Sequence, residues 1–307
     1  VSRILITPVG ADEQEPALSL LFSDIPNDRR HLHVKRALEV FASGEVDPAH
    51  LLVARLSPQG PPVASMFAQL LPGASAMIWP PRTENILERL ETEKTLVRTL
   101  LLRLRSHGVK LVQAFLSLED REGTASLTRN GFQSITRIWH MRRDRVLHVD
   151  TGSPAADLDF IPFAQCDCAK FQETLIETYE SSLDCPELNG LRTLDEVILG
   201  FRKSAPDLSR WWLLSKEGEA VGVLLLADGG QTNTWDVGYL GIAPSARRKG
   251  YSKAAMRFAI EQSITAKQQA LTLIVDQRND PAIKLYQSFD FKVVDMREVY
   301  LLFGLQG

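Results

Sequence analysis

Residues 247–252 read Arg-Arg-Lys-Gly-Tyr-Ser, between the apolar, aromatic run Trp235–Ile242 and a stretch, Lys253–Ala266, with Ala254, Ala255, Phe258, Ala259 and Gln262 at helical spacing. The first run reads as a buried strand, the second as a helix. A basic, glycine-bearing turn at a helix start gathers free main-chain N–H groups and the positive end of the helix dipole on one spot, which suits an anion such as a diphosphate. No Gly-x-x-x-x-Gly-Lys-Ser/Thr and no Gly-x-Gly-x-x-Gly occurs, so the nucleotide loops with those signatures are excluded. All six histidines precede residue 150, which excludes a histidine-dependent triad or metal site built wholly within the C-terminal half.

A second motif follows. Leu271–Val275 is a short apolar run, and Asn279-Asp280-Pro281-Ala282-Ile283-Lys284-Leu285-Tyr286 opens a short helix, with Asp280 expected as N-cap and Pro281 as its first residue. Arg247-x-x-Gly250-x-Ser252, followed by Asn279, Ala282, Leu285, Tyr286 and Phe291 in register, resembles the GNAT acyltransferase superfamily. Its pyrophosphate loop runs Gln/Arg-x-x-Gly-x-Gly/Ala and its later motif Asn-x-x-Ala-x-x-Leu-Tyr-x-x-x-Gly-Phe. Ser252 stands where Gly or Ala is usual, and Asp290 where Gly is usual. Ser is small, and Asp tolerates left-handed backbone better than most residues.

The resemblance implies acetyl transfer from acetyl-CoA to an amine, with coenzyme A as thiol carrier and no metal. The N–H groups of Arg248, Lys249, Gly250, Tyr251 and Ser252 would hold the pyrophosphate, and Arg247 would add charge. Gly250 would let the backbone approach the phosphates closely. The pantetheine arm would pair along Tyr239–Ile242, with Leu240, Gly241 and Ile242 as binding positions and an amide near Leu240 facing the thioester carbonyl. Tyr286 would be the general acid for the leaving thiolate, whose pKa is about 8.5. Asp236 would be the base and Asn279 would bond the pantetheine arm or the helix start. The acceptor would be a small-molecule or peptide amine. Ser181–Arg192 would border its pocket, where Asp184 and Glu187 would attract a cation. A fold that senses acyl-CoA without turnover is the alternative the same loop would serve.

The elements that must position these groups form a pattern read twice. Trp211–Ser215 and Ala220–Ala227 make a hairpin, and Leu51–Leu56 and Pro62–Leu71 make another. Ala74–Trp79 reads as a third strand, followed by a helix at Glu91–Ser106, a strand at Lys110–Leu116 and Gly131-Phe132, which answers Asp290-Phe291 at an offset of 159. The expected fold class is α/β (α+β): two tandem GNAT-like domains, each a mixed, mostly antiparallel sheet flanked by helices, an arrangement similar to mycothiol synthase. Domain boundaries fall at 1–146 and 147–307, with a turn-rich linker at 144–159. In the first half Leu127 answers Tyr286, and Pro80-Pro81 remove backbone donors, so that half reads as a degenerate copy.

The 307 residues suffice for two domains, and 44% hydrophobic with 24% charged residues reads as globular. A net charge of −3 offers no broad footprint for nucleic acid, and no apolar run approaches the roughly 20 residues that span a bilayer. Cys166, Cys168 and Cys185 form no zinc pattern, and so few cysteines fit a reduced, cytoplasmic protein. The Trp211-Trp212 pair reads as one core and one interface ring. Oligomeric state is left open.

Overall fold

The computed structural model describes residues 4–144 and 157–305. The sequence boundary at 146/147 and most of the 144–159 linker therefore lie outside the described residues. Two compact units emerge: Val1–Ile135 with Glu298–Gly307, and Thr136–Arg297.

The first unit runs β1 (Leu5–Pro8), α1 (Gln14–Leu21), α2 (Asn27–Ser43), β2 (Leu51–Arg55), β3 (Ala64–Leu71), β4 (Ser75–Thr83), α3 (Arg89–Ser106), β5 (Leu111–Ser117), α4 (Arg121–Arg129) and the first residues of β6 (Gln133–Asp144). Strands β1 to β4 are antiparallel neighbours, and β5 runs parallel to β4. Leu96, Val97, Leu100 and Leu104 of α3 pack with Met66, Ile78 and Val112. Leu18 and Leu21 of α1 and Val34 and Phe41 of α2 pack with Leu51, Val53 and Phe67 in a separate core. With both cores covered, β2 is buried along its whole length, the pattern of a strand with no solvent face.

The second unit contains most of β6, then β7 (Asp159–Pro162), α5 (Cys168–Tyr179), α6 (Leu194–Ser204), β8 (Trp211–Lys216), β9 (Glu219–Asp228), β10 (Thr234–Ile242), α7 (Tyr251–Thr265), β11 (Ala270–Asp276), α8 (Asp280–Gln287) and the start of β12 (Lys292–Leu302). Its sheet order is β6-β11-β10-β9-β8-β7; β10 and β11 are parallel and the other neighbours antiparallel. Trp211 packs with Phe171 and Leu175 of α5. Trp212 packs with Ala255, Met256 and Ala259 of α7. Both tryptophans are thus core residues, contrary to the expectation of one interface ring. Successive strand side chains point to opposite faces, and here helices cover both.

Each unit includes a segment that the sequence boundary puts in the other half. From Ile138 to Asp144, β6 pairs with β11 of the second unit, and Met141 is 1% exposed in that unit's core. Tyr300 of β12 is buried in the first unit's core and donates to Thr124 Oγ1 at 3.2 Å.

The repeat holds at the level of register. Ser75–Met77 of β4 pair with Leu111–Gln113 of β5, and Thr234–Asp236 of β10 pair with Ala270–Thr272 of β11; every residue of the first set lies 159 positions before its counterpart. Strand β4 continues past Trp79 through Pro80 and Pro81, where the sequence ended it. Its register shifts at Met66, opposite the two prolines, and a bulge is where a strand accepts proline.

Candidate active site

The basic turn is built as an open row of donors. Arg248 has φ 63° and Gly250, the N-cap of α7, has φ 84°. These left-handed residues turn the chain so that successive amides point one way. Among the described residues, the N–H groups of Arg248, Lys249, Gly250, Tyr251 and Ser252 donate to no backbone carbonyl and no side chain. The α7 N-cap supplies no side-chain acceptor either. The orphan donors of a helix start therefore stay open, the arrangement that suits an anion.

Beside this row, β10 and β11 separate. Their pairing stops at Asp236↔Thr272. One residue later β10 bulges, its register against β9 shifting between Val237 and Tyr239. Beyond the bulge, Tyr239–Ile242 keep β9 as partner on one side only. A cavity of about 420 Å³ opens there, lined by Leu240, Gly241 and Ile242 of β10, by Arg248, Tyr251 and Ser252 of the turn, and by Asn279 and Tyr286 of the β11–α8 segment. A Cβ on Gly241 would fall 2.6 Å from the Thr178 Cβ and 2.7 Å from the Tyr239 ring. Glycine is required there by the close approach of α5.

Tyr286 is 9% exposed, and among the described residues its hydroxyl has no hydrogen-bond partner. Burial pushes the phenol well above its ordinary value, and the nearby Asp184 charge adds to this. It keeps its proton at neutral pH, as a donor must. Asn279 is the N-cap of α8, accepting from the Ala282 N–H at 3.3 Å. Asp280, expected in that role, is one residue inside the helix.

Two sequence expectations are corrected by the geometry. Asp236 does not line the cavity. It sits before the strands part, its Oδ1 accepting from Thr272 Oγ1 at 2.6 Å, and burial raises its pKa. Arg247 reaches the cavity, but its guanidinium serves the protein. It donates to the carbonyls of Ile242 at 3.1 Å, Ser181 at 3.2 Å, Thr178 at 3.1 Å and Glu180 at 2.6 Å. A cation capping the carbonyl end of α5 is favoured by the helix dipole; its charge is committed there.

The sequence did not reveal the network under the cavity floor. Asp276, at the end of β11, is 0% exposed. Its carboxylate accepts from Thr136 Oγ1 at 2.7 Å, from Arg278 Nη2 at 2.7 Å and from the Cys185 N–H at 3.1 Å. Burial alone would raise its pKa, and the hydrogen bonds from Arg278, Thr136 and the two backbone amides outweigh that, leaving it below the usual carboxylate range. Arg278 also grips Glu187 with bonds of 2.7 and 2.9 Å. The segment between α5 and α6 is thereby tied to the end of β11. An aspartate closing the apolar run Leu271–Val275 was the available signal: a charge at a strand's end inside a core needs partners. Tyr239 was missed as a lining side chain; its hydroxyl lies 2.8 Å from Thr178 Oγ1. Among the described residues no three metal-ligating side chains converge.

Comparison with known proteins agrees with this architecture. The sequence model of the Acetyltransferase (GNAT) family matches residues 175–291. No curated protein matches the chain in sequence. Among solved structures, a GCN5-related N-acetyltransferase from Sphaerobacter thermophilus is similar over 99% of this chain and 96% of its own, at 14% identity and a TM-score of 0.66. A tandem GNAT protein from the clavulanic acid biosynthesis pathway is similar over 98% of each chain, at 14% identity and a TM-score of 0.51. A putative acetyltransferase from Pyrococcus horikoshii is similar over 98% of this chain and 89% of its own, at 16% identity and a TM-score of 0.50. The GNAT family model thus matches residues 175–291 of a chain that shares the fold of solved GNAT acetyltransferases, a tandem one among them.

Proposed function

We propose that the second unit is an N-acetyltransferase that moves an acetyl group from acetyl-CoA to a primary amine by direct attack. The observation that carries this reading is the row of five unpartnered amides, Arg248 to Ser252, three of whose residues line a cavity that Tyr286 also lines. The row would take the pyrophosphate. The unpaired flank of β10 at Leu240–Ile242 would take the pantetheine arm, and an amide near Leu240 would face the thioester oxygen as charge develops on it. Tyr286 would protonate the leaving thiolate. Asn279 Oδ1 is already used by the helix start, which leaves its amide nitrogen for the arm.

Two features support a substrate on a built surface: donors without acceptors and a strand flank without a neighbour. The acceptor would be a small molecule or peptide bearing an amine, with neither nucleic acid nor membrane as partner. Three free cysteines support a reducing compartment, the cytoplasm. No described helix is long and apolar enough to cross a membrane.

Titration calorimetry with acetyl-CoA, followed by measurement of thiol release in the presence of amines, tests this reading. One equivalent bound with amine-dependent thiol release is expected. Binding without release for any amine would identify a sensor of acyl-CoA, the alternative that shares the loop; no binding by folded protein removes both.

A further inference from the structure

Direct attack needs a proton acceptor, because an alkylammonium of pKa about 10 has no lone pair to give. Among the described residues, the lining of the cavity holds a single carboxylate, Asp184. It lies in the segment between α5 and α6. Its Oδ1 accepts the Asp276 main-chain N–H at 2.8 Å, and no described residue donates to its Oδ2. The neighbouring carboxylates are spoken for: Asp276 by Thr136, Arg278 and the Cys185 amide, Glu187 by Arg278. The groups facing Asp184 come from four elements. Tyr179 comes from α5, Tyr239 from β10, Tyr286 from α8, and Asp276 with Arg278 from the end of β11 and the turn after it.

We propose that Asp184 binds the acceptor's ammonium group and takes its proton, and that the acceptor is a primary amine with no acidic group beside the nitrogen. This rests on the acetyl-transfer reading of the same site. The Asp276 amide holds Oδ1, and Oδ2 has no described donor, so the carboxylate is oriented before the acceptor arrives. Tyr239 and Tyr286 line the same cavity and supply aromatic surface for a cation. A carboxylate beside the acceptor's nitrogen would lie against Asp184, and neither Arg278 nor Arg247 is free to balance it. Arg278 is committed to Asp276 and Glu187, and Arg247 to four main-chain carbonyls.

The step balances as follows. The ammonium gives one proton to Asp184 Oδ2. The nitrogen lone pair forms the C–N bond at the thioester carbonyl, whose π pair moves to oxygen. The oxygen pair returns, the C–S bond breaks, and the sulfur takes the Tyr286 proton. The nitrogen's second proton restores the Tyr286 phenol, and Asp184 releases its proton to water. Burial, with Asp276 nearby, raises the Asp184 carboxyl above its ordinary value, although the Asp276 amide and Arg278 oppose this. The rise improves it as a base at neutral pH.

The test uses the full chain and pairs of probes that differ by one carboxylate: phenethylamine against phenylalanine, tyramine against tyrosine, ethanolamine against serine. The amine of each pair is expected to have kcat/KM at least about tenfold higher. Asp184→Asn keeps an oxygen for the Asp276 amide and should bind acetyl-CoA as the parent does, with kcat reduced about 100-fold. The acidic limb of the pH–rate profile should vanish in Asp184→Asn and return, displaced, in Asp184→Glu. Carrier binding with undiminished turnover by Asp184→Asn, or equal use of the paired probes, overturns this inference alone; carrier binding with no thiol release for any amine overturns the transferase reading with it. Failure of the carrier to bind overturns the transferase reading and this inference together.

Discussion

Arg82 in the first unit and Gly241 in the second occupy the same place, the penultimate residue of β4 and of β10. Gly241 leaves room for Thr178 of α5. Arg82 is 4% exposed and fills its place with charge, bonded to both oxygens of Asp120 at 2.9 and 2.6 Å and paired with Asp24 at 3.1 Å. Asp120 caps α4 as Asn279 caps α8. The substitutions around this point share a direction. Pro80 and Pro81 stand for Tyr239 and Leu240, deleting both main-chain N–H groups. Leu127 stands for Tyr286, deleting the phenol. Glu91 and Glu93 of α3 stand for Gly250 and Ser252, and Glu93 is buried between Arg89 and Arg129. In the first unit an ion-pair cluster fills this place; in the second the corresponding turn keeps unpartnered main-chain donors. A duplicated frame can therefore keep its strand pairing while the surroundings of one helix change from open donors to ion pairs.

Substitutions that exchange these features should break the comparison, beginning with the largest effect. Tyr286→Phe, which brings the second unit closer to Leu127 of the first, should lower kcat by about 10²–10⁴-fold while calorimetry shows unchanged carrier affinity. Equal loss of both would remove the phenol from the acid role. Arg82→Ala leaves Asp120 buried without its partner and should cost about 3–5 kcal/mol in denaturant unfolding of the first unit. Carrier stoichiometry should stay at one, since the prolines and glutamates remain; a second equivalent would show that Arg82 alone closes the first cleft. Gly250→Ala places a Cβ on backbone at φ 84° and should cost about 1–2 kcal/mol, with weaker carrier binding and near-parental kcat at saturation.

The smallest expected effect is on pH. Asp120 is buried, which raises its carboxyl, but Arg82 and the Gly123 amide outweigh burial and hold it below the ordinary value. Asp276 is depressed in the same way. A depressed folded pKa stabilises above the unfolded value of about 3.9 and loses that stability as pH falls through the folded pKa. Both units should weaken below about pH 4. Asp120→Asn should flatten the acid slope of the first unit only, as measured by unfolding at stepped pH; an unchanged slope would mean the Arg82 pair carries no linkage.

Much of this was legible in local patterns. The apolar runs gave the strands to within a few residues, and the glycine-bearing turn gave the start of α7, because helix entry and strand periodicity depend on neighbouring residues. The 159-residue offset, first visible in Gly131-Phe132 against Asp290-Phe291, became the register of β4–β5 and β10–β11. Strand ends and caps were less legible: β4 runs on through two prolines, and α8 is capped one residue early.

The sequence by itself determined the repeated frame, the donor-rich turn and the phenol, since each follows from residues adjacent in the chain or one helical turn apart. Only the tertiary structure decided which charges reach the cavity. Asp236 is near the motif in sequence yet stops short of it, while Asp184 bonds Asp276 across 92 residues. Arg247 turns from the loop to the carbonyls at the end of α5, as many as 69 residues away. The role of a charged side chain is set by what is close enough to pair with it once water is excluded, and such neighbours are fixed by packing rather than by chain order.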